Sequence, residues 1–90
     1  MTSLVYINLQ DTVYAPSIVD AIDQDNPHAE IQHQPSMIRI EARGRLDIHR
    51  ETVEQLTGSP WDIQEMLMYV ITLGGNVVEE DDSFSLHWNN

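Results

Sequence analysis

Four histidines, His28, His33, His49 and His87, share this chain with fifteen carboxylates, and such side chains are the raw material of a metal site or an acid–base pair. Their spacing supports neither. No two histidines stand at His-x-x-His or His-x-x-x-His separation, so no helical turn offers two imidazoles to one ion. They read as scattered structural histidines, with His33 expected to face the core. The acidic run Glu79 to Asp82 lacks the alternating ligands and central glycine of a calcium loop and reads as a solvated turn. Serines 3, 17, 36, 59, 83 and 85 have no nucleophile-elbow context, and Ser17 is better suited to cap a helix. Four glycines form no phosphate cradle. Cysteine is absent, which excludes disulfides, thiolate-ligated zinc, iron–sulfur clusters and a cysteine nucleophile. The chain is therefore expected to hold no metal or cofactor and to catalyse nothing itself.

The remaining chemistry is charge. Fifteen Asp and Glu against four Arg and no Lys give a formal charge of −11, which argues against direct nucleic-acid binding because phosphate neutralisation needs a cationic surface. All four arginines fall between Arg39 and Arg50. Arg39 and Arg43 share one face of a predicted strand and Arg45 stands near them, so a small basic patch on an acidic body is one reading, while charge balancing within the sheet is the favoured one. Trp61 and Trp88 read as core or elbow packing.

These residues need elements to position them. Ninety residues make one domain with a modest core, and 41% hydrophobic residues in clear periodic patterns argue for a folded chain rather than an acidic disordered one. Leu4 to Leu9 alternates as a strand. Pro16 to Asp25 spaces Ile18, Val19 and Ile22 as a helix, ended by Asn26-Pro27. Ala29 to Gln34 and Met37 to Ala42 make a strand pair around Pro35-Ser36, with Ile38, Ile40 and Ala42 inward. Arg45 to Ile48 is a strand and Arg50 to Thr57 a helix stopped by Gly58. Asp62-x-x-Glu65 resembles a capping box opening a helix over Ile63 to Leu73, with Gly74-Gly75 as its cap; the competing reading is a strand over Leu67 to Leu73. A hairpin joins Asn76-Val77-Val78 to Phe84 through Trp88. The predicted class is α+β, two βαββ-like halves (about 1–43 and 44–90) packed as one compact domain with a C-terminal β-hairpin. Met1-Thr2-Ser3 has no basic leader region and no apolar run is long enough to span a bilayer, so the expected setting is cytoplasmic, with no membrane partner.

Gly44 to Gly75 also carries a set of motifs: the Leu46 and Ile48 strand, the Arg50-Glu51-Thr52 helix start, the Gly58-x-Pro60-Trp61 elbow and the Gln64-Glu65 pair. With Asp25-Asn26-Pro27 and Met37-Ile38-Arg39-Ile40 upstream, this pattern resembles the small regulatory or effector (coupling) components of soluble bacterial multicomponent diiron monooxygenases, in their phenol hydroxylase branch. Thr57 departs from it, a leucine being expected before the glycine. The resemblance implies a cofactor-free protein that binds the diiron hydroxylase component and promotes coupled hydroxylation of aromatic substrates by NADH and O2. A reading from a different class is an acidic nucleic-acid mimic or adaptor acting on a DNA-binding partner, suggested by the charge alone.

Two sets of residues are candidates for partner binding. Asp25, Asn26 and Pro27 match the family pattern and form a sharply turned polar corner suited either to docking or simply to stopping the helix. If Ile63 to Leu73 is helical, its core side takes Ile63, Met66, Leu67, Val70, Ile71 and Leu73. Met68 and Tyr69 then lie toward the other side with Glu65 and Thr72, where an exposed Met and Tyr suit an interface.

Overall fold

The computed structural model describes residues 3–88. Met1 and Thr2 of the leader reading, like Asn89 and Asn90, lie outside the described residues. The chain runs β1 (Leu4–Gln10), α1 (Ala15–Asp25), β2 (Glu30–Gln34), β3 (Met37–Arg43), β4 (Arg45–His49), α2 (Arg50–Thr57), α3 (Ile63–Leu67), β5 (Val70–Gly74), β6 (Asn76–Glu79) and β7 (Ser83–His87). The class is α+β, as the patterning predicted. Two antiparallel sheets form, in the orders β2-β3-β1-β5 and β4-β7-β6.

Alternation sets the sheets' inner faces. Val5, Ile7 and Leu9 of β1, Ile38, Ile40 and Ala42 of β3, Leu46 and Ile48 of β4, and Phe84 and Leu86 of β7 are all buried in one core. Helix α1 adds Ile18, Val19 and Ile22 to that core and lies against α2 and β4. The chain passes between sheets at Gly44, whose N–H donates to Ser3 O at 2.8 Å, and again at Gly75. The halves consequently do not keep separate sheets. Strand β5, from the second half, completes the first half's sheet by pairing with β1.

The predicted helix over Ile63 to Leu73 is corrected: helix ends at Leu67, and Val70–Gly74 is strand. β-Branched Val70, Ile71 and Thr72 suit a pleated surface, and their strand gives β1 its second partner. The register shifts between Asn8 and Leu9, which face Thr72 and Val70, leaving Ile71 as the extra residue of a bulge. Ile71, expected in the core, is exposed for that reason. Gly74-Gly75 is accordingly no helix cap. Gly74 ends β5 against the ring of Tyr6, where a Cβ would lie 2.8 Å from both Tyr6 Cδ1 and Cζ.

Other expectations divide. Helix α2 stops where predicted, at Gly58 in the left-handed region (φ 73°), despite the departure at Thr57. Asp62 caps α3, its Oδ1 accepting from the N–H of Gln64 at 2.9 Å. Ser17 is not a cap: α1 already begins at Ala15 after Tyr14, and Pro16, lacking an N–H, sits in its first turn where none is needed. His33 shares the inward face of its partner Ile38, but on the edge strand β2 it is exposed and forms no part of the core.

Candidate docking surface

Three of the predicted partner-binding residues, Glu65, Met68 and Tyr69, come together, though not on one helical face. They line a groove of about 400 Å³ between the start of α1 and the α2–α3 elbow. Ile18 and Val53, both buried, belong to its lining, and half-buried Trp61 stands beside them. The elbow is held locally. Gly58 N–H donates to Glu54 O at 2.8 Å, the Glu54 side chain accepts from Trp61 N–H at 2.9 Å, and Arg50 lies 3.7 Å from the same carboxylate.

Helix α3 ends one residue before Met68, and Tyr69 N–H donates to Met66 O at 2.9 Å. The backbone then turns into β5 through Gln10 N–H, which donates to Tyr69 O at 2.8 Å. This junction turns Met68 outward, 75% exposed, and lays the Tyr69 ring on Tyr14, with centroids 6.0 Å apart and planes at 27°. Tyr14 and its neighbour Val13 precede α1, 62% and 86% exposed. Sequence reasoning passed over Val13 and Tyr14. The available signal was an adjacent Val-Tyr pair after Thr12 that fits the periodicity of neither β1 nor α1, with Tyr14 at the N-cap position where a small polar residue is usual.

The other candidates lie elsewhere. Thr72 is on β5 opposite Asn8, and its Oγ1 accepts from Asn8 Nδ2 at 2.8 Å. A strand turns it away from the groove, where a helix would have kept it near Met68. At the Asp25-Asn26-Pro27 corner, Pro27 is exposed, but Asn26 is only 1% exposed. Its Nδ2 donates to Ile22 O at 2.8 Å and to Asp47 O at 2.6 Å, while its Oδ1 accepts from Asp47 N–H at 2.9 Å. The Asn26 side chain is thus committed inside the molecule, to the end of α1 and to β4. Asp25 is half-buried, with Oδ2 enclosed and without a hydrogen-bond partner.

Electrostatics follow the same division. Charge balancing, the favoured reading of the arginines, describes Arg39 and Arg45. Arg39 pairs with Glu41 at 2.9 Å and lies 4.2 Å over the Tyr6 ring, and Arg45, in the other sheet, pairs with Asp47 at 2.7 Å. Burial pushes the Asp47 carboxyl up, but hydrogen bonds from Ser85 and Arg45, with the charges of Arg45 and His49, outweigh it and hold the group below its ordinary value. Glu30 and His33 stand at Glu-x-x-His spacing, but on strand β2 residues i and i+3 point to opposite faces and cannot converge on an ion. Among the described residues no three His, Asp or Glu gather as a metal site, and no helix is long and apolar enough to cross a membrane. Trp88 is at the surface, its indole Nε1 donating to Leu4 O at 2.8 Å.

Among the described residues the arrangement is a concave surface with no cluster of His, Asp or Glu. The family model described as MmoB/DmpM matches residues 3–87. The stimulatory component DmpM of phenol 2-monooxygenase from Pseudomonas sp. (strain CF600) is 62% identical over 90 residues, all of both chains. Among solved structures, a chain of a phenol hydroxylase–regulatory protein complex superposes with TM-score 0.92 at 53% identity, over 97% of this chain and 100% of that one. The regulatory protein B of soluble methane monooxygenase shares the fold, with TM-score 0.75 at 15% identity over 96% of this chain and 65% of its own.

Proposed function

Because the chain belongs to the MmoB/DmpM family, we propose that it is the regulatory component of a phenol hydroxylase and acts by binding the diiron hydroxylase component. The full-length identity to a stimulatory component carries this reading. The chain supplies no chemistry of its own. It acts as a ligand of the hydroxylase, and its effect depends on binding one hydroxylase conformation more tightly than another, since equal affinity shifts no population. A tenfold preference corresponds to about 1.4 kcal/mol. The conformation selected is the one that couples NADH-derived electrons and O2 to hydroxylation of the aromatic substrate. The acidic nucleic-acid mimic finds no support in the comparisons.

Residues 1–90 act as one effector domain. The β1–β5 ladder joins the halves at about 1–43 and 44–90, so that separating them would break a sheet. Glu65, Met68 and Tyr69 belong to the docking face, and exposed Pro27 presents a rigid corner whose shape Asn26 sets from within. Asp25 and Thr72 remain candidates at the corner and on the sheet surface. The complex works in the cytoplasm, where NADH is available, without a membrane or nucleic-acid partner. Gel filtration of the protein with a phenol hydroxylase's hydroxylase component tests the reading: co-elution supports it, and separate elution at concentrations up to tens of micromolar opposes it.

A further inference from the structure

The three most exposed large apolar side chains described, Val13, Met68 and Tyr14, all line the same groove, although they come from segments far apart in the sequence. Single exposed apolar residues carry no message, whereas a group of them around a concave site marks an interaction surface. The groove has buried side chains and an anchored elbow behind it, and a rim of unbranched Met68 and the Tyr14–Tyr69 pair that can adjust to what enters. The other exposed apolar pair, Val77 and Val78, lies on edge strand β6 beside the Glu79 to Asp82 turn, where flanking charge is an ordinary protection of an edge.

Charge identifies the occupant. The residues that line the groove include no Lys or Arg, and their one acidic or basic side chain is Glu65. The whole chain carries −11. A second copy placed groove to groove would bring carboxylate to carboxylate and supply no cation. We propose that the groove receives an aliphatic or aromatic anchor projecting from a Lys- or Arg-bearing segment of the hydroxylase, with Glu65 facing a basic flank. This rests on the effector reading and adds the site and the chemistry of its partner.

The test titrates the purified hydroxylase component with the wild-type protein and with Val13→Ser, Met68→Ala, Glu65→Lys and, as a control away from the groove, Val78→Ser, each first shown by circular dichroism to keep its fold. Val13→Ser and Met68→Ala should each raise Kd about tenfold or more, as truncated anchors do. Glu65→Lys should weaken binding, and added salt should weaken wild-type binding more than that of Glu65→Gln. Val78→Ser should bind like the wild type. Wild-type affinity in folded Val13→Ser and Met68→Ala overturns the groove and leaves the effector reading standing. Tighter binding by Glu65→Lys overturns the basic flank. Self-association of the isolated protein that Met68→Ala abolishes assigns the groove to a second copy and overturns the proposal. A wild-type protein that does not bind hydroxylase overturns the reading and this proposal together.

Discussion

The side-chain amide of Asn26 closes on the peptide groups of Asp47 as a neighbouring strand would, accepting from its N–H at 2.9 Å and donating to its carbonyl at 2.6 Å. Strand β4 is an edge of its sheet, so Asp47 turns these groups away from β7, and one residue past the end of α1 satisfies both. The other amide hydrogen reaches Ile22 O, which ties the helix terminus to the same point. A corner that looks from the sequence like a docking motif is a joint between α1 and β4.

Asn26→Ala should therefore cost stability, by about 1–3 kcal/mol, since it strips partners from buried backbone groups. Asn26→Asp keeps an acceptor for Asp47 N–H but loses both donated bonds, so it should not restore the wild type. Urea denaturation measures this. An unchanged midpoint with weakened hydroxylase binding would return Asn26 to the docking surface.

Asp47 makes stability depend on pH. Its carboxylate accepts from Arg45 Nε at 2.7 Å and Ser85 Oγ at 2.8 Å, and its pKa is lowered in the folded chain. A lowered folded pKa contributes stability above the ordinary carboxylate value of about 3.9, and that contribution is lost as pH falls through the folded value. Asp47→Asn should be less stable than wild type at neutral pH, and the two should converge in acid, below about pH 4. Denaturant melts of both proteins across that range provide the check, and a gap that widens in acid would contradict the assignment.

Gly74→Ala should destabilise by about 1–3 kcal/mol through overpacking against the Tyr6 ring, whose surroundings also include the Arg39 guanidinium. Tyr6→Ser in the same chain should recover part of that loss. Gly58→Ala is the contrast: nothing lies within 4 Å of its added Cβ, so its cost, about 1–2 kcal/mol, comes from the left-handed backbone alone and should be indifferent to Tyr6. Equal response of both variants to Tyr6→Ser would remove the contact argument.

Much of this architecture is legible in the chain because local chemistry and tertiary need agree there. Alternation in β1 and β3, Asn26-Pro27 after α1 and Gly58 after α2 each mark their element for a local reason. Ile63 to Leu73 misleads because of the bulge: with Ile71 displaced, Val70 and Leu73 both turn toward the core three positions apart, the spacing of a helix rather than a strand. Alternation reports a strand's face and not its neighbour, which is why the passage of β5 to β1 was not visible. In the candidate groove, Glu65, Met68 and Tyr69 were singled out through a helical pattern that holds only to Leu67. Val13 and Tyr14 belong to no repeating pattern, and only folding brings them to Tyr69.

As the proposed regulatory component, this chain changes what a hydroxylase does without doing chemistry itself. A titration of the protein into hydroxylase and reductase components of a phenol hydroxylase, following NADH consumed and hydroxylated product formed together, tests it most directly. Product per NADH should rise with added protein until the hydroxylase is saturated, while the protein alone oxidises neither NADH nor phenol. Turnover and coupling that stay unchanged across the whole titration, with a folded protein, would contradict the account.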